Sequence, residues 1–359
     1  MQALSWCTAQ GLPPPRQCIE VSDSLKADEA FRHLNEGSAL LWRGDYHQAR
    51  QMLSALARRL DRKPPPTGKT VTEQFHLLRQ FRLQRARLLN GLLVPLDPGF
   101  RIPLRRAPDV EQACAAVYPA LTEPGMVALR ELLGLIGAHE WRKKGIVLPH
   151  LPQPLIPHYG VFPPTRHEYL DLVARAALDN KNSALDLGTG TGVLSLLLAQ
   201  RGIPQILATD VSERALTCAR ENRERHGLNH VITLARQDGY PDARVDLIIC
   251  NPPWLPGAAP TLLDQAVYDP KSGFLRHFLS GACAHLNPGG EAWLIMSDLA
   301  ERLGLRQPGE LQGWIQDAGL TVLERLDARP AHGKAKQSKD PLHLWRAQEI
   351  TSLWRLGMQ

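Results

Sequence analysis

Between Ser183 and Ser297 the chain switches repeatedly from short apolar runs to amphipathic stretches, and this alternation constrains its fold more than any other feature. The runs predict strands at 183–187, 205–209, 231–235, 245–250 and 291–297, with helices over 192–201 and 213–226 among the connections. Strands that alternate with helices over such a length predict a parallel sheet, because parallel neighbours need a crossover connection, which a helix supplies. Such a sheet is covered by helices on both faces. The final stretches, Leu320–Ala328 and Leu342–Gln348, predict a closing antiparallel hairpin.

The 148 residues in front read differently. Residues 1–22 show weak periodicity. Residues 24–62 predict a helical hairpin whose Gly44-Asp45-Tyr46 and Ala49 resemble one tetratricopeptide unit; with no second copy to stack on, a plain hairpin is expected. Pro64-Pro65-Pro66-Thr67-Gly68 then breaks the chain. Residues 71–93 predict a long helix with Leu77, Phe81, Leu88 and Leu92 on one face, and 109–118 and 124–141 predict two more. A mainly α-helical domain over 1–148 is therefore expected. Six prolines within 149–164 suggest a linker or a crossing, pre-core segment, since proline does not continue a helix and biases its neighbours to extended forms. The α/β domain then occupies 165–359.

Charge separates the same two regions. Residues 1–150 carry 21 basic against 14 acidic side chains, whereas 151–359 carry 21 against 22. Seven arginines and one acid, Asp97, fall between Arg79 and Arg106. A polyanionic partner such as RNA would use that excess, with Arg79, Arg82 and Arg87 on the predicted helix and Lys334 and Lys336 in the late loop as contacts. A solvated basic helix face is the plain alternative. No apolar run approaches the ~20 residues that span a bilayer, and the first residues lack the charged-then-apolar pattern of a secretory signal. Six scattered cysteines, with no CxxC pair, point to a reducing cytoplasm, and no HExxH or Cys/His cluster suggests a metal.

Two motifs carry chemistry. The first strand ends in Asp186-Leu187-Gly188-Thr189-Gly190-Thr191-Gly192 and opens directly into an apolar helix. Glycines at that turn let the backbone approach a ligand where side chains would clash. The spacing is GxGxG rather than the dinucleotide GxGxxG, and no Walker lysine follows. The second strand ends in Asp210, placed to accept hydrogen bonds from ribose hydroxyls, and the third is followed by Asp238, placed for an adenine edge. A lone acid at a strand end is more often a cap. Three motifs in register argue for a site. The fourth strand, Val245–Cys250, runs into Asn251-Pro252-Pro253-Trp254.

Together these residues resemble motifs of class I, Rossmann-like S-adenosylmethionine-dependent methyltransferases, and the tetrapeptide resembles the Asn-Pro-Pro-aromatic motif of amino-methyltransferases (the methyltransferase small domain, HemK-like group). The resemblance covers about 160–350 and implies a seven-stranded core with a C-terminal antiparallel hairpin. It implies S-adenosylmethionine as cofactor, held by Asp186, Gly188, Gly190, Gly192, Asp210 and Asp238. It also implies a planar NH₂ acceptor at Asn251, Pro252, Pro253 and Trp254. The lone pair of such an NH₂ is delocalised, so two acceptors, the Asn251 amide oxygen and the Pro252 carbonyl, can hold its N–H groups and aim the nitrogen. Trp254 offers a face for a flat group, and positioning supplies much of the rate. The segment Tyr159–Glu168 partly resembles the pre-core stretch of release-factor glutamine methyltransferases, with Thr165 where that group has proline. Three functions follow: methylation of a nucleobase amine (adenine N6 or guanine N2) in RNA, which the charge favours; methylation of a protein glutamine; and a non-catalytic cofactor-binding module that docks a partner.

Overall fold

The computed structural model describes residues 4–329 and 340–359; Lys334 and Lys336 lie outside them. The chain divides into two compact units, Met1–Glu140 and Trp141–Gln359.

The front unit holds the expected helices, α1 (Ala27–Asn35), α2 (Tyr46–Asp61), α3 (Val71–Asn90), the short α4 (Glu111–Ala115) and the start of α5 (Leu129–Lys144). It is not the mainly helical domain the sequence suggests. These helices accompany a five-stranded sheet of β1 (Ser5–Cys7), β2 (Cys18–Val21), β3 (Ala39–Trp42), β4 (Leu92–Leu96) and β5 (Gly125–Ala128), ordered β1-β5-β4-β3-β2. β2, β3 and β4 run parallel, whereas β5 pairs antiparallel with β4. The missed strands have a common cause. β3 and β4 are buried at every position, so they show no two-residue alternation, and a short continuous apolar run is indistinguishable by period from a buried helical turn. Leu40-Leu41-Trp42 is thus a central strand and not part of a helical hairpin. The predicted stripe on α3 also shifts. Phe75, Leu78, Leu88 and Leu89 are buried, Leu77 and Phe81 are half-buried, and Leu92 has left the helix for β4. Arg82 and Arg87 are exposed on α3 and Arg79 is half-buried there.

The proline-rich stretch 149–164 belongs to the second unit and packs into it. Leu151 and Leu155 join its core, Ile156 N–H donates to Asn222 Oδ1 at 2.7 Å, and His158 Nε2 lies 2.6 Å from Glu221. Proline excludes regular structure here, but the intervening apolar residues still find a place to bury.

The second unit follows the predicted alternation: α6 (Glu168–Arg175), β6 (Ser183–Leu187), α7 (Val193–Gln200), β7 (Gln205–Asp210), α8 (Glu213–Arg225), β8 (Ile232–Arg236) and β9 (Val245–Cys250). A two-residue parallel pair, β10 (Leu255–Pro256) with β11 (Tyr268–Asp269), brackets α9 (Leu262–Gln265). Then come α10 (Gly273–His285), β12 (Leu286–Ser297), α11 (Leu299–Arg302), α12 (Glu310–Asp317), β13 (Leu320–Ala328), α13 (His343–Ala347) and β14 (Thr351–Met358). The seven-stranded sheet is ordered β13-β14-β12-β9-β6-β7-β8. β14 alone runs against its neighbours, which is the expected closing hairpin. Its second strand is Thr351–Met358 rather than Leu342–Gln348; the latter segment forms the short α13, and the strongly buried Leu353-Trp354 pair takes the sheet position.

The strands alternate between two cores. Leu247 and Ile249 of β9 face the side covered by α6 and α7, while Ile248 and Cys250 face α10 and α12. Burial on both faces leaves the strand ends as the place where polar groups can collect, and the chain order reverses between β6 and β9. In open α/β sheets a crevice opens at that reversal.

Candidate active site at the sheet reversal

Leu187 and Cys250 are paired in register at the carboxyl ends of β6 and β9. The glycine loop and the Asn251–Trp254 segment therefore leave neighbouring strands side by side. Two motifs 59 residues apart in sequence meet because two buried strands hydrogen-bond.

The loop is held from both sides. Gly188 and Thr189 N–H groups both donate to Thr209 O at 2.9 Å, tying the turn to β7. Gly190 N–H donates to Asp210 Oδ2 at 3.0 Å. Gly188, Gly190 and Gly192 have φ of 77, 56 and 82°, the left-handed region. At Gly192, which starts α7, a Cβ would also press on Ala219 at 3.3 Å; above Gly190 nothing lies within 4 Å of a Cβ position, so that face of the backbone is open. The Phe274 ring stands 3.3 Å from a Gly188 Cβ position and walls the loop on one side. Phe274 is set by buried Asp269, whose carboxylate accepts from Phe274 N–H and Leu275 N–H, both at 3.0 Å.

Asp186 is completely buried. Its Oδ2 accepts from Thr189 Oγ1 at 2.7 Å, Ser195 Oγ at 2.6 Å and Ser195 N–H at 3.1 Å, and so braces the loop and the first turn of α7. Its Oδ1 is buried without a partner among the described residues. Burial pushes this carboxyl above the usual range, against the Ser195 and Thr189 donors. Asp210 shares its two oxygens between Gly190 N–H and Ser212 N–H, the latter at 2.9 Å, and burial raises it as well. Each oxygen keeps a lone pair for a further donor. Asp238 is exposed just past β8, next to Gln237, whose N–H donates to Asp210 O at 3.2 Å.

An unpaired buried carboxylate oxygen, an open glycine face and a carboxylate with spare acceptors suit a ligand bearing an ammonium group and a ribose. S-adenosylmethionine has both. Gly188, Gly190, Gly192, Asp186 and Asp210 could hold it, with Asp238 at the outer end.

On the acceptor side the geometry departs from expectation in one respect. The Asn251 Oδ1, expected to meet the substrate, accepts the Trp254 indole N–H at 2.9 Å. Trp254 is half-buried and packs against both cores of the unit, and the Arg166 guanidinium lies 5.3 Å over its ring. Trp254 is thus bonded inward rather than offering both faces. Pro252 is buried, and the neighbouring proline fixes the turn. Sequence reasoning missed Arg166, Glu349 and Phe274. Arg166 falls within the pre-core segment singled out above, but nothing in the sequence pairs it with Glu349, 183 residues later. Arg79, Arg82 and Arg87 belong to α3 of the front unit. Among the described residues, no group of His, Cys, Asp or Glu is arranged to hold a metal, and no helix is long and apolar enough to cross a membrane.

Residues 158–304 match the family model of the methyltransferase small domain. The chain is 33% identical over 171 residues to a release factor glutamine methyltransferase of Xylella fastidiosa, a match covering 44% of this chain and 59% of that protein. It is 39% identical over 94 residues to a tRNA1(Val) (adenine(37)-N6)-methyltransferase of Shewanella sp., covering 23% and 38%. A solved S-adenosylmethionine-dependent methyltransferase from Thiobacillus denitrificans, in complex with S-adenosyl-L-homocysteine, aligns over 55% of this chain and 92% of that one, at 17% identity and a TM-score of 0.37. The chain spans less than two thirds of the length of these curated relatives.

Proposed function

We propose that this chain is an S-adenosylmethionine-dependent N-methyltransferase whose acceptor is a planar NH₂ group, and that this group is the side-chain carboxamide of a protein glutamine. The observation that carries the reaction class is the Leu187–Cys250 register, which sets a cofactor-type glycine loop beside Asn251-Pro252-Pro253-Trp254. The glutamine reading is supported by the longer of the two matches, to a release factor glutamine methyltransferase. We rank it ahead of the nucleobase reading, which the charge of the first 150 residues and the shorter match favour.

When bound, the cofactor supplies a sulfonium methyl group for in-line displacement. The chain's own residues bind and aim. Asp210 would accept from the ribose hydroxyls and Asp186 Oδ1 from the ammonium. Asn251 Oδ1 and the Pro252 carbonyl accept the two N–H groups of the acceptor, which turns its nitrogen toward the methyl carbon and favours pyramidalisation. The nitrogen sheds a proton once it carries the new bond, so no strongly basic side chain is needed beforehand. Positioning of this kind supplies many kcal/mol of a two-substrate barrier, ~7–11 in well-oriented cases.

Methylation of a base amine in RNA is the second reading, favoured by the seven-residue basic excess of the first 150 residues. One assay separates the two. Purified chain is incubated with tritiated S-adenosylmethionine and lysate of cells lacking it, with and without RNase. Protease-sensitive, RNase-resistant label is expected. Label lost to RNase would transfer the function to RNA, and charge reversal at Arg79, Arg82 and Arg87 would then lower the salt dependence of RNA binding. No label in either fraction would remove both.

A further inference from the structure

Arg166 is the least explained side chain of the site. Its Nη1 donates to both oxygens of Glu349, at 3.3 and 3.1 Å, and Glu349 is only 2% exposed. Glu349 Oε1 in turn accepts from Ser297 Oγ at 2.6 Å, at the end of β12. Glu349 therefore holds the guanidinium from one end while the Trp254 ring lies against it. The other two nitrogens, Nε and Nη2, are buried and have no hydrogen-bond partner among the described residues. They form one edge of the guanidinium, the fork that pairs side-on with two lone pairs. A buried donor left unpaired costs ~1–3 kcal/mol, and a whole fork left so beside a reactive turn calls for a ligand.

Its place in the sheet indicates which ligand. The residues suited to the cofactor sit on β6, β7 and the loops after them. Arg166 is fixed instead by Trp254 after β9, by Glu349 before β14 and, through it, by Ser297 of β12, which is the opposite half of the sheet. We infer that Arg166 binds the oxygen of the methyl-accepting group, a carboxamide whose NH₂ is held by Asn251 and whose carbonyl takes the Nε/Nη2 fork. This rests on the methyltransferase reading above. A carbonyl oxygen has two lone pairs and satisfies both donors. The ring nitrogens flanking N6 of adenine have one each and would leave a donor unpaired. Trp254 links the two groups, its indole N–H on Asn251 and its ring against the face of Arg166, so the Nε/Nη2 edge is not taken up by this contact.

The test uses the full chain saturated with S-adenosylhomocysteine and titrated with acetyl-Ala-Gln-Ala-amide, adenosine monophosphate or guanosine monophosphate. Arg166→Lys keeps the charge facing Glu349 but has no fork. It is expected to weaken the peptide by roughly 10–100-fold, as loss of a charged hydrogen bond does, and to leave S-adenosylhomocysteine affinity unchanged. In the wild type, the Arg166 Nε–H resonance should move on adding peptide and stay put with adenosine monophosphate, a readout independent of how the variant folds. Unchanged peptide affinity with an unmoved resonance would make Arg166 a structural residue. A parallel loss of S-adenosylhomocysteine affinity would reassign the fork to the cofactor's carboxylate. Arg166-dependent binding of guanosine monophosphate in preference to the peptide would overturn the carboxamide. Failure of the wild type to bind S-adenosylhomocysteine at all would instead strike the methyltransferase reading itself.

Discussion

Both units hold buried carboxylates that the fold itself satisfies, and the second also holds charged groups that it does not. In the front unit, Glu131 accepts from Ala9 N–H, Tyr118 Oη at 2.6 Å and Thr8 Oγ1, while Asp45 accepts from His47 and Gln48 N–H and from Arg106. Both are used up in holding the fold. In the second unit, Asp186 leaves one oxygen unpaired, Arg166 leaves a fork unpaired, and Asp210 retains lone pairs. Unpaired buried polar groups are costly, and Arg223 Nε, Glu301 Oε2 and Arg306 Nε are unpaired as well among the described residues. What distinguishes Asp186 and Arg166 is that each stands beside a motif, the glycine loop or the turn that holds Trp254.

The largest effect should come from the residue with the most specific task. Asn251→Ala is expected to lower kcat by ~10²–10³-fold, the scale seen when one preorganised polar contact to the reacting group is removed. Calorimetry should find S-adenosylhomocysteine affinity intact. If cofactor binding is lost with it, Asn251 belongs with Glu131 and Asp45 as a structural residue.

Asp210→Ala should weaken S-adenosylmethionine by roughly 10–100-fold through the lost ribose bonds. It also carries a pH signature. Burial holds its pKa above the usual carboxylate range. On acidification it therefore takes up a proton at a higher pH than an ordinary aspartate and loses acceptor capacity. Cofactor affinity should fall as pH drops through that raised value, and Asp210→Asn should flatten the dependence. An identical acid limb in the variant would place the titrating group elsewhere.

Asp186→Asn tests whether the buried acid is structural on one oxygen and functional on the other. The amide retains one acceptor oxygen, but its NH₂ must face either the three donors from Thr189 and Ser195 or the unpaired position. The first choice should lower Tm by disrupting the loop. The second should preserve Tm and weaken the cofactor by placing a donor against its ammonium. A variant with both properties unchanged would mean that Oδ1 has no ligand.

These carboxylates also show what the sequence made legible. The second unit was readable because both of its signals are local. A strand buried on both faces is a short apolar run bounded by turn residues, and motif residues stand at the strand ends where the chain must turn. The parallel run of its strands followed from the helices between them. The front sheet was opaque because β3 and β4 are short and buried at every position, so they show no strand period; Leu92 even continues the apolar spacing of α3 across Gly91. Arg166 was hidden for a different reason. Its meaning lies in Glu349 and Trp254, brought to it by the closing strand and the fourth strand, and pairing over such separations leaves no trace in a single sequence. Phe274 was hidden likewise, because its place beside Gly188 joins two distant parts of the chain.

The smallest effect belongs to the front unit, where its satisfied carboxylates should matter for stability alone. The Arg106 guanidinium, donating to Asp45 at 2.7 Å, holds that carboxyl down at about 2, below the ~3.9 of an unfolded aspartate. A group with a depressed folded value stabilises the native state above the unfolded pKa and loses that contribution as pH falls through the folded one. The front unit should thus lose the Asp45 contribution between about pH 4 and about pH 2, and Asp45→Asn should remove this part of the acid dependence while methyl transfer at neutral pH stays the same. Hydrogen exchange at His47 and Gln48, the amides Asp45 caps, reads the effect directly. Faster exchange at these amides in the variant, with unaltered turnover, would keep the contrast between the two sheets. A change in turnover without a change in exchange would break it, because Asp45 would then act on the reaction through something other than the fold it holds.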